Sequence, residues 1–416
     1  MSEVAQATHS SPDGHIPQLR FPGFSGVWRE NRLGNIARIF DGTHQTPKYV
    51  ENGIPFYSVE HITANQFDDT KYISEEVFER ENMRVKLERE DILMTRIGNI
   101  GMAKYIDWNV NASFYVSLAL IKKNESFNSK FLSQLIHSPN FQRQLWKRTI
   151  HVAFPQKINL GEIGKCESIL PTKPEQQKIA AFLTTVDNKI EQLSKKQELL
   201  GEYKKGLMQQ IFSQVIRFKA DDGCDFPDWE EKKLGGIGSF YRGHTYNSTN
   251  VKNNGLLVLR SSNIKNDKLV LDKDLQFVDK ICSDKISLRT DDIVICMANG
   301  SKHLVGKSGV YYGDYDNKLT VGAFCSIFRT DNKLSKYILQ TVQYKRYLHI
   351  LLAGTNINNL KNSELAELKF NLPVSINEQT KIANFLSSID SKIEQVSKQL
   401  VESKQFKKAL LQQMFV

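Results

Sequence analysis

The chain has 416 residues, of which 40% are hydrophobic and 25% are charged, and its formal net charge is +10. This length supports two or three domains of ordinary globular composition, and the positive charge suits a polyanionic partner. No apolar run approaches the ~18 residues that a membrane span needs, and the five cysteines form no CxxC pair, so neither a disulfide framework nor a metal site is indicated.

Residues 1–17 are rich in Ser, His and Gly and are predicted to form a disordered tail. The N-terminal stretch has no basic-plus-apolar signal pattern, so we expect a cytoplasmic protein. A first domain is predicted over residues 18–173 and a second over residues 229–376. Short β-rich runs bounded by Gly, Asn and Asp predict a mixed or antiparallel sheet in each domain. With one or two helices packed on that sheet, each domain is expected to be α+β.

The two predicted domains share a framework. Each opens with Phe-Pro, a Trp and Leu-Gly, and each later contains an Asp-Ile pair and a short helix that starts Ser-Lys-aromatic. These features begin at Phe21, Asp91 and Ser129 in the first domain and at Phe226, Asp292 and Ser335 in the second. Outside the framework the domains diverge, which favours two different targets.

A long helix is predicted after each domain, over residues 174–215 and 377–416, with a linker at 216–228. The segments 175–213 and 378–416 align without a gap and are identical at roughly half of their positions, which indicates an internal repeat. Their apolar residues recur mostly at alternating steps of three and four and predict a coiled-coil seam. The seam comprises Ile179, Leu183, Val186, Ile190, Leu193, Leu200 and Leu207 in the first helix, and Ile382, Leu386, Ile389, Ile393, Val396, Leu400 and Leu410 in the second.

Polar residues interrupt both seams, at Gln197 and Lys204 and at Ser403 and Lys407. Such residues usually fix the register of a coiled coil. Asp187-Asn188-Lys189 recurs as Asp390-Ser391-Lys392, and we interpret both as ordinary charged residues of a solvated helix face. A helix of about 40 residues spans ~60 Å. Antiparallel pairing of the two would give pseudo-two-fold symmetry and hold two domains apart, as a split DNA site requires.

One segment is similar to a nucleotide-binding loop, ending at Gly306-Lys307-Ser308. Its glycines, Gly300 and Gly306, are separated by five residues where the motif has four, and the residues that follow are not helical in pattern. We interpret it as a glycine turn between strands. The histidines and cysteines show no catalytic spacing, so we expect no enzyme in this chain.

The chain resembles the specificity subunit of a type I restriction-modification system over nearly its whole length. The resemblance is carried by the helix openings at 174–190 and 377–393 and by the domain openings LGNIARIFDGTH and LGGIGSFYRGHTY. It implies two target recognition domains, each binding one half of a bipartite, asymmetric site in double-stranded DNA. It also implies that the long helices form an antiparallel coiled coil that sets the spacing between the half-sites.

The resemblance further implies the partners. Two modification subunits, which hold S-adenosylmethionine and methylate adenine N6, would dock on the long helices. Restriction subunits that use ATP and Mg²⁺ would join the complete complex. This chain would hold no cofactor or metal and would have no catalytic role.

DNA recognition needs Arg, Lys, Asn, Gln and small polar groups on exposed loops. Two segments of the first domain and three of the second meet this description. The candidate contacts are Thr43, His44, Gln45, Lys48, Arg96 and Asn99 in the first domain, and Arg242, His244, Tyr246, Arg260, Asn263, Lys302 and His303 in the second.

Two alternatives remain open from the sequence. The chain could be a coiled-coil assembly adaptor without sequence-specific DNA binding, in which case its charge is incidental. It could also be an enzyme with a nucleotide site at Gly306-Lys307, which tight ATP binding lost on Lys307→Ala would support.

Overall fold

The computed structural model describes residues 14–353 and 358–416. It divides into two units. The first runs to Lys195 and includes Ser397–Val416, and the second comprises Lys196–Val396. Most of the predicted tail, residues 1–13, lies outside the described residues.

The first unit is built of short strands and helices followed by one long helix. The strands are β1 Arg29–Arg32, β2 Ile39–Asp41, β3 Tyr49–Val50, β4 Ile54–Tyr57, β5 Lys71–Ile73, β6 Ile92–Thr95, β7 Ala103–Tyr105, β8 Ser113–Phe114, β9 Leu118–Ile121 and β10 Glu167–Leu170. The helices are α1 Leu33–Ile36, α2 Val59–Ala64, α3 Glu75–Asn82, α4 Ser129–Ile136, α5 Pro139–Arg148, α6 Leu160–Gly164 and the long helix α7, Lys173–Phe212. The part of α7 after Lys195 belongs to the second unit.

The second unit has a similar order of elements, with twelve strands among its described residues where the first has ten. Its strands are β11 Glu230–Lys233, β12 Ser239–Arg242, β13 Val251–Lys252, β14 Leu256–Leu259, β15 Ile264–Lys265, β16 Lys268–Leu269, β17 Phe277–Val278, β18 Ile293–Cys296, β19 Ser308–Val310, β20 Leu319–Val321, β21 Cys325–Arg329 and β22 Lys369–Leu372. Its helices are α8 Leu234–Ile237, α9 Ser335–Ile338, α10 Val342–Ala353, α11 Asn362–Ala366 and the long helix α12, Ile376–Gln413. The part of α12 from Ser397 onward belongs to the first unit.

The sheets of the two units have corresponding strand orders, except that one sheet of the second unit has two additional strands, β16 and β15. In the first unit the orders are β2-β9-β6-β7, β3-β5-β4-β8 and β1-β10, and in the second they are β12-β21-β18-β19-β16-β15, β13-β17-β14-β20 and β11-β22. Most strand pairs are antiparallel, whereas β4 with β8 and β14 with β20 are parallel. The predicted mixture of helices and sheets in two similar domains is therefore confirmed.

The shared Asp-Ile pairs open the central strands. Every residue of β6 and of β18 is buried, as expected for a strand covered on both faces. The buried Asp91 carboxylate accepts a hydrogen bond from Lys122 Nζ at 2.7 Å. The equivalent Asp292 accepts from Arg329 Nε at 2.8 Å. Each domain thus pairs its buried carboxylate with a cation, which offsets the cost of desolvation.

Both predicted long helices are present, and their apolar residues pack into the domain cores. Of the predicted seam, Ile179, Leu183, Leu193, Ile382, Leu386, Ile389, Val396, Leu400 and Leu410 are buried, and Val186, Ile190, Leu200, Leu207 and Ile393 are half-buried. No described helix is both long enough and apolar enough to cross a membrane.

The seam lysines form ion pairs with aspartates of the other long helix. In the first unit Lys407 Nζ lies 2.6 Å from Asp187 Oδ1, and Gln134 Nε2 donates to Asp187 Oδ2 at 2.6 Å. Asp187 is half-buried, so the solvated-face interpretation is wrong for this residue, whereas Asn188 and Lys189 are exposed as predicted. The Asp187 carboxylate joins both long helices and α4, which fixes the register of these three elements in the first unit.

The second unit contains the same arrangement with a different third member. Lys204 Nζ lies 2.7 Å from Asp390 Oδ1, and the Tyr337 hydroxyl donates to Asp390 Oδ2 at 2.9 Å. Burial raises the pKa of Tyr337, and the Asp390 carboxylate raises it further, so the hydroxyl remains protonated as a donor. Asp390 is likewise half-buried, so the solvated-face interpretation is wrong for it, whereas Ser391 and Lys392 are exposed as predicted.

His137 lies close to Lys407 and Asp187 of the first unit, and we expect it to make the stability of that unit depend on pH. Its Nε2 hydrogen-bonds to the Ala103 carbonyl at 2.8 Å. Burial and then the Lys407 charge lower its pKa below the ordinary 6.5, whereas the Ala103 carbonyl and Asp187 raise it by less. The unfolded chain therefore binds this proton more readily than the folded one, and stability falls as pH drops through about 6.5.

We expect His137→Gln to reduce this pH dependence, because glutamine keeps a donor for Ala103 but does not titrate. The measurement is the free energy of unfolding in urea at pH 7.5 and at pH 5.5. The loss between the two values should be smaller in the variant than in the unmodified chain. An equal loss in both proteins would contradict the assignment to His137.

Candidate nucleic-acid interface

The loop after β2 in the first domain is joined to the end of β8. The Thr43 amide donates to the Phe114 carbonyl at 3.0 Å, and the Val116 amide donates to the Thr43 carbonyl at 3.0 Å. Gly42 permits this close approach, since a Cβ at that position would lie 2.0 Å from the Phe114 oxygen. The loop therefore leaves the sheet in a fixed direction.

The second domain joins its corresponding loop in the same way. The His244 amide donates to the Val321 carbonyl at 2.6 Å. A Cβ on Gly243 would lie 2.2 Å from the Gly322 oxygen. The two domains thus hold loops of different sequence, THQTPK at 43–48 and HTYNST at 244–249, on one backbone arrangement.

A buried carboxylate organises the base of the first loop. His44 Nε2 lies 2.9 Å from Asp41 Oδ2, Arg84 donates to the same carboxylate, and Arg96 Nη1 lies 3.7 Å away. Burial raises the pKa of Asp41, but Arg84 and His44 together outweigh that effect and lower it, so the group is anionic at neutral pH. The Thr43 hydroxyl donates to Glu81 at 2.9 Å.

Of the six candidate contacts in the first domain, four are exposed and two are buried. His44, Gln45, Lys48 and Asn99 are exposed. Arg96 is 8% exposed, and it donates from Nε to the Ile158 carbonyl at 3.1 Å and from Nη1 to the Val116 carbonyl at 2.8 Å. Arg96 therefore holds three segments together inside the domain and does not join the exposed surface. Thr43 is also buried.

Of the exposed candidates, Asn99 lines a cleft of about 770 Å³, and Thr46 of the β2–β3 loop lines it as well. It is lined by both candidate loops and by aromatic and charged side chains of the neighbouring strands. Lys71 Nζ lies 4.8 Å above the Tyr49 ring, and the hydroxyls of Thr46 and Tyr115 are 3.2 Å apart. The lining residues are Thr46, Tyr49, Phe56, Ser58, Val59, Glu60, Thr63, Lys71, Asn99, Tyr115 and Ser117.

In the second domain Arg242, Arg260, Lys302 and His303 are exposed, whereas His244 and Tyr246 are half-buried. Asn263 is fully buried: its Oδ1 accepts from the Arg260 amide at 2.9 Å, and its Nδ2 donates to the Lys273 carbonyl at 3.0 Å. Asn263 therefore shapes the loop that presents Arg260. Lys302 and His303 lie on a 3₁₀ turn, Lys302–Leu304.

The segment similar to a nucleotide loop connects two strands. Gly306 has φ +82°, and Ser308 begins β19 where a nucleotide-binding loop would begin a helix. Lys307 Nζ donates to the Ile264 carbonyl at 3.0 Å. This geometry matches the predicted turn between strands. Among the described residues, no group of three or more His, Cys, Asp or Glu side chains could hold a metal ion.

Several structurally important residues were not found from the sequence. Arg20 pairs with buried Glu175 at the start of α7, and Arg217 pairs with buried Glu378 at the start of α12. The repeated Arg-Phe at 20–21 and 217–218 was the available signal. Val152 and Phe154, two exposed apolar residues of the loop before α6, carry no such signal.

Comparison with known proteins agrees with this architecture. The model of the type I restriction modification DNA specificity domain matches residues 26–200 and 227–403. The specificity subunit of the type I restriction enzyme MjaVIII from Methanocaldococcus jannaschii is 28% identical over 413 residues, which cover 92% of this chain and 91% of that protein. The StySPI specificity subunit from Salmonella potsdam is 30% identical over 196 residues, or 44% of this chain and 42% of that protein.

A solved structure has the same fold. The crystal structure of the type I restriction-modification S subunit from M. genitalium is 16% identical and superposes with a TM-score of 0.62, covering 96% of this chain and 99% of that chain. The family model matches most of the sequence in two copies. The chain therefore belongs to the specificity subunits of type I restriction-modification systems.

Proposed function

We propose that each domain binds one half of a bipartite, asymmetric site in double-stranded DNA. The observation that carries this proposal is the paired loop arrangement at Thr43 and His244. Equivalent parallel bridges, Thr43 with Tyr115 and His244 with Gly322, present different side chains in the two domains, which suits two readers with different targets. Exposed Gln45, Lys48 and Asn99 in one domain and Arg242 and Arg260 in the other supply base-edge and phosphate contacts.

The long helices are proposed to pair antiparallel and to set the distance between the half-sites. Within the first unit an early turn of α7 meets a late turn of α12, through Asp187 and Lys407. Within the second unit an early turn of α12 meets a late turn of α7, through Asp390 and Lys204. These equivalent contacts support an antiparallel coiled coil with pseudo-two-fold symmetry.

The repeated helices are proposed to dock two modification subunits, one on each copy. We assign no catalytic step and no cofactor to this chain. S-adenosylmethionine would be held by the modification subunits, and ATP and Mg²⁺ by the restriction subunits. The restriction-modification complex as a whole would then methylate and cleave DNA according to the sequence that this chain selects.

Variants in one domain should alter one half-site. We expect the double change His44→Ala and Gln45→Ala to relax one half of the methylated sequence, since a good base contact contributes about 1–3 kcal/mol of discrimination. Arg242→Ala with Arg260→Ala should relax the other half. The measurement is methylome sequencing of a host that expresses each variant with its modification subunits.

Two results would count against the proposal. If the first pair of changes altered both halves, the domains would not act separately. If the unmodified complex bound all DNA equally, the chain would be an assembly adaptor. Exposed Glu125→Ala, in the loop before α4, is the control and should leave both halves unchanged.

A further inference from the structure

Val152 and Phe154 project from the loop between α5 and α6. The two residues are 97% and 104% exposed, and no other large apolar residue in the described part of the first unit is as exposed. Exposed apolar groups that lie side by side commonly mark a contact surface. A phenylalanine with all of its ring in water is costly to leave without a partner.

The base of this loop is held firmly. The Ile150 amide donates to the Lys157 carbonyl at 2.8 Å, and the Gly98 amide donates to the Gln156 carbonyl at 2.8 Å. The Ile158 amide donates to the Arg96 carbonyl at 3.0 Å, and the buried Arg96 side chain donates back to the Ile158 carbonyl. The two apolar residues at the tip of the loop are therefore held by a hydrogen-bonded base.

The surroundings favour a polyanion over an apolar protein surface. Residues 146–160 contain no Asp or Glu, and they contain Lys147, Arg148 and Lys157. The loop is hydrogen-bonded to Gly98, whose neighbour Asn99 lines the cleft beside the β2–β3 loop. The tip and the proposed base contacts thus belong to one connected group of loops in the first domain.

We propose that Val152 and Phe154 form a wedge that inserts between neighbouring bases of the bound DNA and unstacks them. This inference rests on the proposed function of the first domain. Apolar side chains inserted at a base step are a known means of kinking a duplex. The bent or opened DNA would then present its bases to the loops that carry His44 and Asn99.

The wedge is expected in one domain only. Lys157 pairs with Ile97 in an isolated bridge, and Asn359 pairs with Ala298 in the corresponding one. Counting back from these residues, Gly354 and Asn356 take the sequence positions of Val152 and Phe154. Neither has a large apolar side chain. The inference therefore predicts distortion at the half-site bound by the first domain.

The test uses the full chain assembled with its modification subunits and duplexes that contain the methylated site. Each duplex carries 2-aminopurine, which fluoresces when unstacked, in one half-site. We expect about a threefold rise in fluorescence in the half bound by the first domain. Val152→Ala with Phe154→Ala should abolish the rise and weaken binding roughly tenfold, because stacking of a base on an aromatic ring is lost.

Two further variants sharpen the test. Phe154→Leu keeps an apolar wedge and should retain part of the rise. Ile281→Ala removes an apolar side chain that is 94% exposed in the second unit and should change nothing. Since all these side chains are exposed, folding should not be affected.

The inference is overturned if the double variant retains the full rise in fluorescence. It is also overturned if the double variant loses its modification subunits, because the tip would then be a protein-docking surface. Failure of the proposed function has a different signature: the unmodified complex would show no preference for the methylated site at all.

Discussion

Replacing Arg20 with alanine is expected to lower the free energy of unfolding of the first unit by about 3 kcal/mol. Arg20 donates from Nε and Nη2 to the two carboxylate oxygens of Glu175, at 2.7 and 2.8 Å. Glu175 is 1% exposed and lies in the first turn of α7. Without Arg20 its buried charge would have no cation, and this is the costly case for an ion pair.

The equivalent change in the second unit should cost less. Arg217 donates to Glu378 at distances of 3.1 to 3.4 Å, and Trp229 Nε1 also donates to Glu378 at 3.1 Å. After Arg217→Ala the tryptophan bond would remain, and a hydrogen bond to a charged group contributes about 1.5–3 kcal/mol. In the first unit, Trp28 Nε1 is buried and has no hydrogen-bond partner among the described residues. Glu175 therefore lacks this second donor.

The measurement is calorimetric unfolding combined with hydrogen exchange of the first turns of α7 and α12. Arg20→Ala should speed hydrogen exchange of the α7 amides more than Arg217→Ala speeds exchange of the α12 amides. Arg29→Ala removes an exposed arginine of β1 and should change stability by less than about 0.5 kcal/mol. Equal losses from Arg20→Ala and Arg29→Ala would show that the buried pair does not stabilise the unit.

The repeated architecture could be predicted because it depends on local patterns. Apolar runs that begin at Asp91-Ile92 and Asp292-Ile293 predict buried strands in any context, and β6 and β18 lie there. The Ser-Lys-aromatic pattern is also local, and short helices begin at Ser129 and Ser335. The ungapped repeat of long helices needed only a comparison of the chain with itself.

The candidate contacts were harder to predict, since exposure depends on tertiary contacts. Arg96 and Asn263 lie in loops of suitable composition, yet both side chains point inward and bond to carbonyls of distant segments. Asp187 belongs to a helix surface in the sequence pattern, but Lys407 and Gln134 surround it. A local stretch of sequence does not show which distant residues will contact a given side chain in the folded chain.

The alignment of the domain openings shows a similar limit. In the sequence, the Phe-Pro pairs align Phe21 with Phe226. The structure also equates Phe21 with Phe218, because each ring stands edge-on to a phenylalanine of the following long helix at 5.5 Å. The segment 216–228, predicted as a linker, is hydrogen-bonded to the start of α12, through Arg217 to Glu378 and through the Lys219 carbonyl to Lys381.

The repeat also points to where two like partners would dock. Tyr203 and Phe406 occupy equivalent positions of the two helix copies, and their side chains are 55% and 53% exposed. Exposed aromatic residues on a helix are typical of the central contacts of a protein interface. One such residue on each copy suits two copies of one partner, as proposed for the modification subunits.

We expect Tyr203→Asp to leave one modification subunit bound, Phe406→Asp to leave one, and the double variant to leave none. Truncation of a central aromatic contact commonly costs at least about 2 kcal/mol, or roughly 30-fold in affinity, and an introduced charge adds desolvation. Native mass spectrometry of the assembled complex counts the bound subunits directly.

Gln209→Asp and Gln412→Asp are the matched controls, since these exposed residues are also equivalent in the two copies and lie on a different face of each helix. They introduce the same charge and should leave two subunits bound. A single aromatic variant that lost both subunits would mean that the partners bind cooperatively or share one surface. A double variant that kept both would place the docking surface elsewhere on the chain, and the duplication of the helices would then need another explanation.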